Sequence, residues 1–367
     1  MNDLDPKHRI PQKIAIIPGD GIGKDVTAEA VKVLQVAVET WSLPLELVDF
    51  PWSADHYLET GETLPEGALE MLRDEYSAVF IGAFGDSRVP DMKHAADVLL
   101  GIRFGLDLYI NFRPIKAYVD SLVPLSGKSA GDIDMVIFRE NTEGAYVGIG
   151  GNFKKGSADE VAVQEEIHTR KGVERIIRAA FEYALANDKG RVVMADKSNV
   201  MRFGHDLWQR CFREVAADFP SIEPGHLFVD ALVMQMIRRP EMFEVIVTNN
   251  MFGDIITDLG AALQGGLGMA ASANLYPGRT SMFEPVHGSA PKYAGTGRAN
   301  PIGAILSSGL MLEHLGHTAA AAALEDVVIE TLQEGIATPD IGGSQSTSQL
   351  GDHIAASFQR RASGEGE

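Results

Sequence analysis

The stretch Phe243-Glu-Val-Ile-Val-Thr-Asn-Asn-Met-Phe-Gly-Asp-Ile-Ile-Thr-Asp258 predicts a strand followed directly by a helix. The apolar run at 245–247 is typical of a buried strand, Gly253 allows a turn, and the pattern predicts a helix with Asp254 in its first turn. Asp254 and Asp258 then lie one turn apart on one helical face, where like charges repel. At the carboxyl end of a strand they predict a site for a hard divalent cation. The alternative is two solvated acids on an exposed turn.

Outward from this stretch, short β-branched runs alternate with amphipathic segments. This alternation is the βαβ pattern of an α/β fold with a largely parallel sheet. Residues 148–157 break the pattern, and the alternating segment at 160–168 predicts a hairpin arm that pairs with another subunit. The predicted strands lie at 13–17, 78–81, 134–138, 191–194 and 244–247, and the predicted helices at 26–41, 172–187 and 204–217.

Composition narrows the classes of function. A chain of 367 residues is long enough for two domains. The formal charge of −19 argues against nucleic acid and anionic membranes as partners. No apolar run has the length of a membrane span, the first residues lack a signal-peptide core, and the single Cys211 fits a reducing cytoplasm. The ten histidines show no metal-ligand spacing.

Two glycine-rich segments are candidates for a nucleotide site. In residues 17–26 the glycines follow a strand, but their spacing differs from the dinucleotide fingerprint, so this signal is weak. Residues 283–301 are the stronger candidate, because small residues let backbone amides approach phosphates while several side chains add donors. An ordinary surface loop could share this composition. The donors are His287, Lys292, Tyr293 and Arg298.

Charged side chains at predicted strand ends suggest a site for an anion. Arg103, Arg113 and Arg139 stand in otherwise apolar surroundings, which suits bidentate capture of a substrate with more than one carboxylate. Each alone is more often a structural ion pair. Lys197 and Asp230 also follow strands, where such residues are usually surface caps. Beside a metal and an arginine cluster, Lys197 could act as a base.

Taken together, these motifs resemble the β-decarboxylating dehydrogenases of 2-hydroxy acids. That family contains the isopropylmalate, isocitrate, homoisocitrate and tartrate/D-malate enzymes. The resemblance runs in order through nearly the whole chain. It is carried by residues 17–23, 106–114, 139–146, 196–200, 250–258 and 284–291.

The resemblance implies an isopropylmalate/isocitrate dehydrogenase-like fold, with two α/β domains, a long mixed sheet and a β arm at the dimer interface. It implies a discontinuous coenzyme-binding domain at 1–108 and 265–367. A dimerisation and substrate/metal domain would occupy 109–264, with the arm near 148–168. The expected assembly is a cytoplasmic homodimer whose active sites are shared between subunits and which acts on a small-molecule substrate.

The resemblance also implies roles for individual residues. Asp254 and Asp258 from one subunit, with Asp230 of the partner subunit, would bind Mg²⁺ or Mn²⁺. Lys197, also from the partner, would take the hydroxyl proton as hydride passes to the nicotinamide. Loss of CO₂ leaves an enolate that the metal stabilises, and Tyr146 would protonate it. The malate carboxylates would bind Arg103, Arg113 and Arg139.

Substrate choice depends on the segment before Arg103. Leu99 and Leu100, with Val200 from the partner, resemble the aliphatic pocket that accepts an isopropyl group, which favours 3-isopropylmalate. Residues 139–144 and 338–343 also resemble tartrate/D-malate dehydrogenases, and isocitrate or homoisocitrate are further alternatives. A non-catalytic regulatory subunit would have lost catalytic residues that this chain keeps. A metal-dependent hydrolase would have no use for residues 287–301.

The resemblance gives two conflicting indications about the coenzyme. Lys292-Tyr293 stands where NAD-dependent members have Asp-Ile, and this pair favours NADP by meeting its 2′-phosphate. The turn at 338–343 is of the NAD type. NADP is therefore expected to be used at least as well as NAD. The predicted coenzyme-binding residues are Glu284, His287, Gly288, Ser289, Ala290, Pro291, Lys292, Tyr293 and Asn300.

Overall fold

The computed structural model describes residues 11–363, which form an α/β fold around one ten-stranded sheet and a separate two-stranded ribbon. The strands are β1 (Gln12–Gly19), β2 (Leu45–Asp49), β3 (Ala78–Ala83), β4 (Ile110–Lys116), β5 (Asp134–Glu140), β6 (Gly150–Phe153), β7 (Val161–Gln164), β8 (Arg191–Asp196), β9 (Glu223–Phe228), β10 (Val245–Thr248), β11 (Ala271–Leu275) and β12 (Ser281–Pro285).

The helices cover the faces of the sheet. A π-helical turn, Ala96–Leu100, joins two very short helices, Lys93–Ala95 and Gly101–Gly105. Among the described residues, no helix combines the length and the hydropathy that a bilayer crossing requires. The α-helices are α1 (Ile22–Glu39), α2 (Ala54–Thr60), α3 (Ala68–Glu75), α4 (Lys93–Ala95), α5 (Gly101–Gly105), α6 (Arg170–Ala186), α7 (Gly204–Ala216), α8 (Val229–Arg238), α9 (Asn250–Leu263), α10 (Ile302–His314), α11 (Thr318–Gln333) and α12 (Thr347–Ser363).

The large sheet is mixed. Its strand order is β2-β1-β3-β12-β11-β4-β5-β10-β8-β9. Neighbours are parallel at both ends, whereas β11 runs antiparallel to β12 and β4, and β4 runs antiparallel to β5. The five strands predicted from the sequence are all present. The βαβ pattern revealed only the parallel parts, and the long mixed sheet expected from the family resemblance is confirmed.

The buried core divides into groups that follow the sheet. Two groups draw their buried residues from 14–108 and 269–358, around α1, α10, α11 and α12. The other two draw theirs from 110–263, around α6 to α9. The domain boundaries at 108/109 and 264/265 stay a prediction, and this division of the core supports them.

The two-stranded ribbon lies where the sequence predicts an arm. Gly150 pairs with Gln164 and Phe153 with Val161 in an antiparallel register, and every residue of both strands is exposed. Phe153 and Val163 expose about two thirds and one half of their surface. A ribbon this apolar and this exposed has a surface suited to another protein chain.

Helix α9 begins earlier than the sequence pattern predicts. The side chain of Asn249 accepts a hydrogen bond from the backbone N–H of Phe252 at 2.9 Å, so Asn249 caps the helix and Asp254 lies in its second turn. The predicted turn at Gly253 is therefore wrong. Gly253 lies inside the helix, where an added Cβ would come within 2.5 Å of Cγ of Arg139. Its small size serves close packing against that arginine.

Candidate active site

The carboxyl end of β5 and the second turn of α9 bring several predicted site residues together. The guanidinium of Arg139 donates hydrogen bonds to Asp254 and to Oδ1 of Asn250, the latter at 2.7 and 2.9 Å. On β4, Arg113 lies 3.8 Å from Asp254 and donates to the hydroxyl of Thr257 at 2.5 Å. Asp254 is thus held by two arginines that come from neighbouring strands.

The side chains of Arg103, Arg113 and Arg139 are buried. Burial, followed by the charge of Arg139, lowers the pKa of Arg113 to about 10, which leaves it protonated at neutral pH. Arg103 lies close enough to lower the pKa of both Arg113 and Arg139 further. Burial alone would raise the pKa of Asp254, but Arg139 and Arg113 reverse that effect and lower it. The three guanidinium groups therefore form one cationic cluster with Asp254 as its main counter-ion.

Tyr146 faces the same carboxylate from a 3₁₀ turn, Ala145–Val147. Its hydroxyl donates to Oδ2 of Asp254 at 3.0 Å, and the guanidinium carbon of Arg139 lies 5.1 Å from the centre of its ring. Burial foremost raises the pKa of Tyr146. The phenol is therefore protonated at neutral pH and can donate a proton to a group bound beside the arginines.

Asp258 lies one turn beyond Asp254 and suits a divalent cation. It forms no ion pair with any described Lys, Arg or His residue, and partial burial together with the charge of Asp254 raises its pKa. The two carboxylates repel each other, and a hard cation with oxygen ligands bound between them would remove this repulsion. Both would serve as ligands from this helix.

Arg103 connects the cluster to the glycine-rich block. Its Nη2 lies 3.2 Å from Oε1 of Glu284, which also accepts a hydrogen bond from Asn274 at 2.8 Å. Leu99 and Leu100 end the π-helical turn just before α5 and are half-buried. Leu99 packs against a core group, and Leu100 stands one helical turn before Arg103.

Lys197 and Asp230 form a separate pair at the ends of β8 and β9. Nζ of Lys197 lies 2.5 Å from Oδ1 of Asp230, which lowers the pKa of the carboxyl group, and Val200 nearby is two thirds exposed. Within the described chain, Asp230 does not join Asp254 and Asp258 in a set of ligand atoms within 4.8 Å of one another. One chain by itself leaves the predicted metal site short of its third ligand.

Three of the predicted coenzyme residues, His287, Tyr293 and Asn300, line a cavity of about 320 Å³. His287 is buried, and burial lowers its pKa, so its imidazole is neutral at pH 7. Lys292 and Arg298 lie over the exposed ring of Tyr293, at 4.7 and 5.7 Å from its centre. The cavity is lined by Ile22, Gly268, His287, Tyr293, Arg298, Ala299, Asn300, Pro339 and Asp340.

The two glycine-rich segments meet beside this cavity. The backbone N–H of Ile22 donates to the carbonyl oxygen of Ser289 at 2.8 Å, and a Cβ on Gly21 would lie 2.0 Å from that oxygen. Ala290 adopts a positive φ of 35°, which turns the chain into the 3₁₀ helix Pro291–Tyr293. Gly288 is exposed at the start of this turn. The glycine-rich segment at 17–26 therefore packs directly against the segment at 283–301.

Several residues near these sites were not found from the sequence. Asp340 lines the coenzyme cavity, where it accepts hydrogen bonds from Asn300 at 3.2 Å and from Thr338 at 2.6 Å. The Thr-Pro-Asp order of its turn could have indicated it. Asn250 and Thr257 orient the arginines, which only the packing of α9 on the sheet reveals. Two histidines also come together with Glu166 although their spacing in the chain gives no sign of it.

Comparison with known proteins agrees with this geometry. The family model for isocitrate/isopropylmalate dehydrogenase matches residues 13–354. The chain is 46% identical to the 3-isopropylmalate dehydrogenase of Thermobifida fusca, over 94% of this chain and 96% of that protein. It is 44% identical to a probable tartrate dehydrogenase/decarboxylase of Bacillus subtilis, over 95% and 98%. A crystal structure of isocitrate dehydrogenase from Methylococcus capsulatus superposes with a TM-score of 0.84 and 35% identity, over 95% and 99%.

Members of this family depend on a divalent metal ion and on NAD(P), and they act on small molecules. The match extends over almost the whole length of both partners in each comparison. The chain is an oxidative decarboxylating dehydrogenase and belongs to the isocitrate/isopropylmalate dehydrogenase family.

Proposed function

We propose that this enzyme oxidises and decarboxylates 3-isopropylmalate to 4-methyl-2-oxopentanoate, a step of leucine biosynthesis. The observation that carries the proposal is the buried cationic cluster of Arg103, Arg113 and Arg139 beside two half-buried leucines. Such a cluster binds a dicarboxylate, because bidentate guanidinium contacts offset the cost of burying the charges. The relatives named 3-isopropylmalate dehydrogenase support the same assignment.

The residues of the chain divide the chemistry between them. Arg103, Arg113 and Arg139 hold the two malate carboxylates and keep the hydroxyl-bearing carbon in place. Lys197 of a second subunit accepts the hydroxyl proton. Tyr146 donates a proton to the carbon from which CO₂ has left, because its phenol is protonated and points into the cluster. Bound Mg²⁺ or Mn²⁺ supplies Lewis-acid stabilisation of negative charge on oxygen, and NAD(P) accepts the hydride.

The aliphatic substituent is assigned to Leu99, Leu100 and Val200 of a second subunit. An aliphatic wall stabilises a bound isopropyl group by about 0.8 kcal/mol per buried CH₂ and offers no donor to a third carboxylate. Asp97, on the same turn, accepts a hydrogen bond from the hydroxyl of Thr63 at 2.9 Å and forms an ion pair with Lys93. The carboxylate of Asp97 is therefore occupied by these two neighbouring side chains.

A second candidate is oxidation of D-malate or tartrate. The Bacillus subtilis relative is named as a tartrate enzyme and is almost as similar to this chain as the first relative. Residues 139–144 and 338–343 are the segments that resemble tartrate/D-malate dehydrogenases. A malate without the isopropyl group would leave the aliphatic wall unfilled, so we rank this substrate below 3-isopropylmalate.

We also infer a cytoplasmic homodimer in which each active site contains residues of both subunits. Asp230 and Lys197 form a pair apart from Asp254 and Asp258, so a two-fold partner would have to supply them. The exposed apolar arm β6–β7 offers a surface for that contact. The two-domain division predicted from the sequence would then place the dimer contact on residues 109–264.

For the coenzyme we propose NADP, with NAD as a usable alternative. Lys292 and Arg298 supply positive charge at the rim of the cavity, which suits a 2′-phosphate. The carboxylate of Asp340 in the same cavity favours a free ribose hydroxyl and opposes the phosphate. The balance between these groups sets the ratio in which the two coenzymes are used.

Metal dependence tests the proposed reaction. Incubated with 3-isopropylmalate, NADP or NAD, and Mg²⁺ or Mn²⁺, the enzyme should release one CO₂ for each reduced coenzyme. EDTA should abolish both products, and added metal should restore them. Reduced coenzyme without CO₂, or full activity in EDTA, would contradict the proposal.

A further inference from the structure

A buried group of charged and aromatic residues lies between the base of the arm and the start of α7. Glu166 follows the arm strand β7, and His168 follows two residues later, whereas His205 comes from α7. The side chains of His168 and His205 are 3% and 1% exposed. Nε2 of His168 lies 3.2 Å from Oε1 of Glu166, and Nε2 of His205 lies 4.0 Å from Oε2.

The hydrogen-bond donors around the rings decide where their protons reside. Nδ1 of His205 accepts the backbone N–H of Lys197 at 2.7 Å, and Nδ1 of His168 accepts the indole N–H of Trp208 at 3.2 Å. An Nδ1 that accepts an N–H carries no proton, so in both rings the proton is on Nε2. Both Nε2–H groups then face the carboxylate of Glu166.

This arrangement of protons is unsuitable for a metal ion, although the three residues have ligand atoms within 4.8 Å of one another. A metal bound at Nε2 would displace the proton, while Nδ1 of each ring still faces an N–H donor. Both rings would have to become imidazolates. Metal-bound histidine normally donates its other N–H to an acceptor, which is the reverse of what is found here.

Asn249 also contacts this group. Its Oδ1 accepts the N–H of Phe252, which fixes the orientation of the amide, and its Nδ2 donates to Oε1 of Glu166 at 2.8 Å. The same Nδ2 lies 3.3 Å from Nε2 of His205, where both atoms carry protons. The 2.7 Å contact with Lys197 is the shorter of the two contacts of His205, so it decides the tautomer.

We propose that Glu166 is a positioning residue: its carboxylate keeps the proton of His205 on Nε2, which leaves Nδ1 to accept the backbone N–H of Lys197. Oε2 of Glu166 is buried and has no hydrogen-bond partner among the described residues, so it is available to Nε2–H of His205. The inference rests on the catalytic role proposed above for Lys197. It ties the base of the arm to the residue that takes the substrate proton.

The surroundings leave the rings little freedom to turn. A Cβ on Gly204 would come within 2.6 Å of Cδ2 of His168, and the ring of His205 packs edge-on against Phe252 at 5.6 Å. Burial alone would raise the pKa of Glu166, but the neighbouring imidazoles of His168 and His205 lower it to about 2. Glu166 is therefore ionised at neutral pH, and its carboxylate can act only as an acceptor.

A double-mutant cycle tests the proposal. In Glu166→Gln an amide N–H replaces the acceptor that faces Nε2 of His205, so the proton moves to Nδ1 and opposes the N–H of Lys197. We expect kcat to fall about tenfold, the effect of one hydrogen bond, while KM for the malate changes less than about twofold. The primary isotope effect with substrate deuterated at its hydroxyl-bearing carbon should increase, because proton and hydride removal then limit the rate more strongly.

The second arm of the cycle is His205→Asn. The Oδ1 of asparagine lies where Nδ1 of histidine does. It can accept the N–H of Lys197 whether residue 166 is a donor or an acceptor. Glu166→Gln added to His205→Asn should therefore cost less than about twofold. Glu165→Gln is the matched control, because Glu165 is exposed on the same segment, and it should behave as the wild type.

Equal losses from Glu166→Gln in both backgrounds would overturn the proposal, as would a lower kcat with an unchanged isotope effect. Zinc that survives EDTA dialysis and is lost in Glu166→Gln would also overturn it. Should Glu166→Gln not fold, ¹⁵N spectra of labelled histidine in the wild type still decide, since His205 must be the Nε2–H tautomer. If the wild type does not turn over 3-isopropylmalate, the proposed function is wrong. If the wild type is active but His205 is the Nδ1–H tautomer, only the role of Glu166 is wrong.

Discussion

Among single residues, Tyr146 and Lys197 have different proton transfers in the proposed reaction. Lys197→Met should block hydride transfer itself, because nothing else accepts the hydroxyl proton. Tyr146→Phe should impair overall turnover more than the hydride step, since its proton is needed only after CO₂ leaves. Single-turnover absorbance of the reduced coenzyme measures the hydride step. An equal loss of that step in both variants would contradict the division of roles.

Lys292 and Tyr293 carry a second prediction at this scale. The double change Lys292→Asp with Tyr293→Ile removes a cation that would meet the 2′-phosphate of NADP and adds a carboxylate that repels it. The ratio of kcat/KM for NADP to that for NAD should fall tenfold or more, because a charge-assisted contact is worth about 1.5–3 kcal/mol.

The control for this change is Arg213→Glu, a charge reversal on the exposed face of α7. It should leave the coenzyme ratio as it is in the wild type. A ratio that stays unchanged in the double variant would show that Asp340 and its turn, and not the Lys-Tyr pair, set the preference.

At the scale of elements, the packing of α9 on β5 positions the arginine cluster. Gly253→Ala would place a methyl group against the stem of Arg139 and push the guanidinium from Asp254. We expect kcat/KM for the malate to fall by about tenfold or more, because one bidentate carboxylate contact is weakened.

Gly309→Ala in α10 is the matched control, because a Cβ there would make only an ordinary contact of 3.7 Å with Leu324. It should raise the free energy of unfolding by about 0.5–1 kcal/mol and leave activity unchanged. Urea unfolding curves and steady-state rates distinguish the two variants. Full activity in Gly253→Ala would show that the close packing of Gly253 on Arg139 does not position the guanidinium.

The elements also show why part of the fold could be predicted. The strands β1, β3, β5, β8 and β10 are continuous apolar runs, since both of their faces are buried, and the sequence reveals them directly. Strands β11 and β12 do not stand out, because β11 carries Ser272 and Asn274. These residues can be buried because side chains from other segments satisfy them. Asn111 on β4 donates hydrogen bonds to both, at 3.1 and 2.9 Å, and Asn274 also accepts from Asn141 and donates to Glu284. Such pairing depends on residues far apart in the chain.

At the scale of the whole molecule, the predicted site residues fall into two groups that one chain keeps apart. The sequence placed Arg139 and Asp254 in one site through family resemblance, but it could not show that they bind each other, since they lie far apart in the chain. The coenzyme cavity shows the same limit. Asp340 enters it from the turn at 338–343, which is far in the chain from the glycine-rich segment at 283–301.

The active site that we propose to be shared between subunits predicts complementation between inactive variants. A mixed dimer of Lys197→Met and Tyr146→Phe subunits has one site with both residues intact and one with neither. Random exchange of subunits should therefore restore about a quarter of wild-type activity, since half of the dimers are mixed and each has one working site. Activity that remains the average of the two parent variants would mean that each site belongs to one chain.

The proposed substrate is tested by kcat/KM measured with 3-isopropylmalate, D-malate, tartrate and isocitrate, each with NADP and with NAD. The aliphatic wall of Leu99 and Leu100 predicts the highest value for 3-isopropylmalate, a lower but measurable value for D-malate, and a much lower value for isocitrate, whose third carboxylate finds no donor there. A highest value for isocitrate or tartrate would contradict the account.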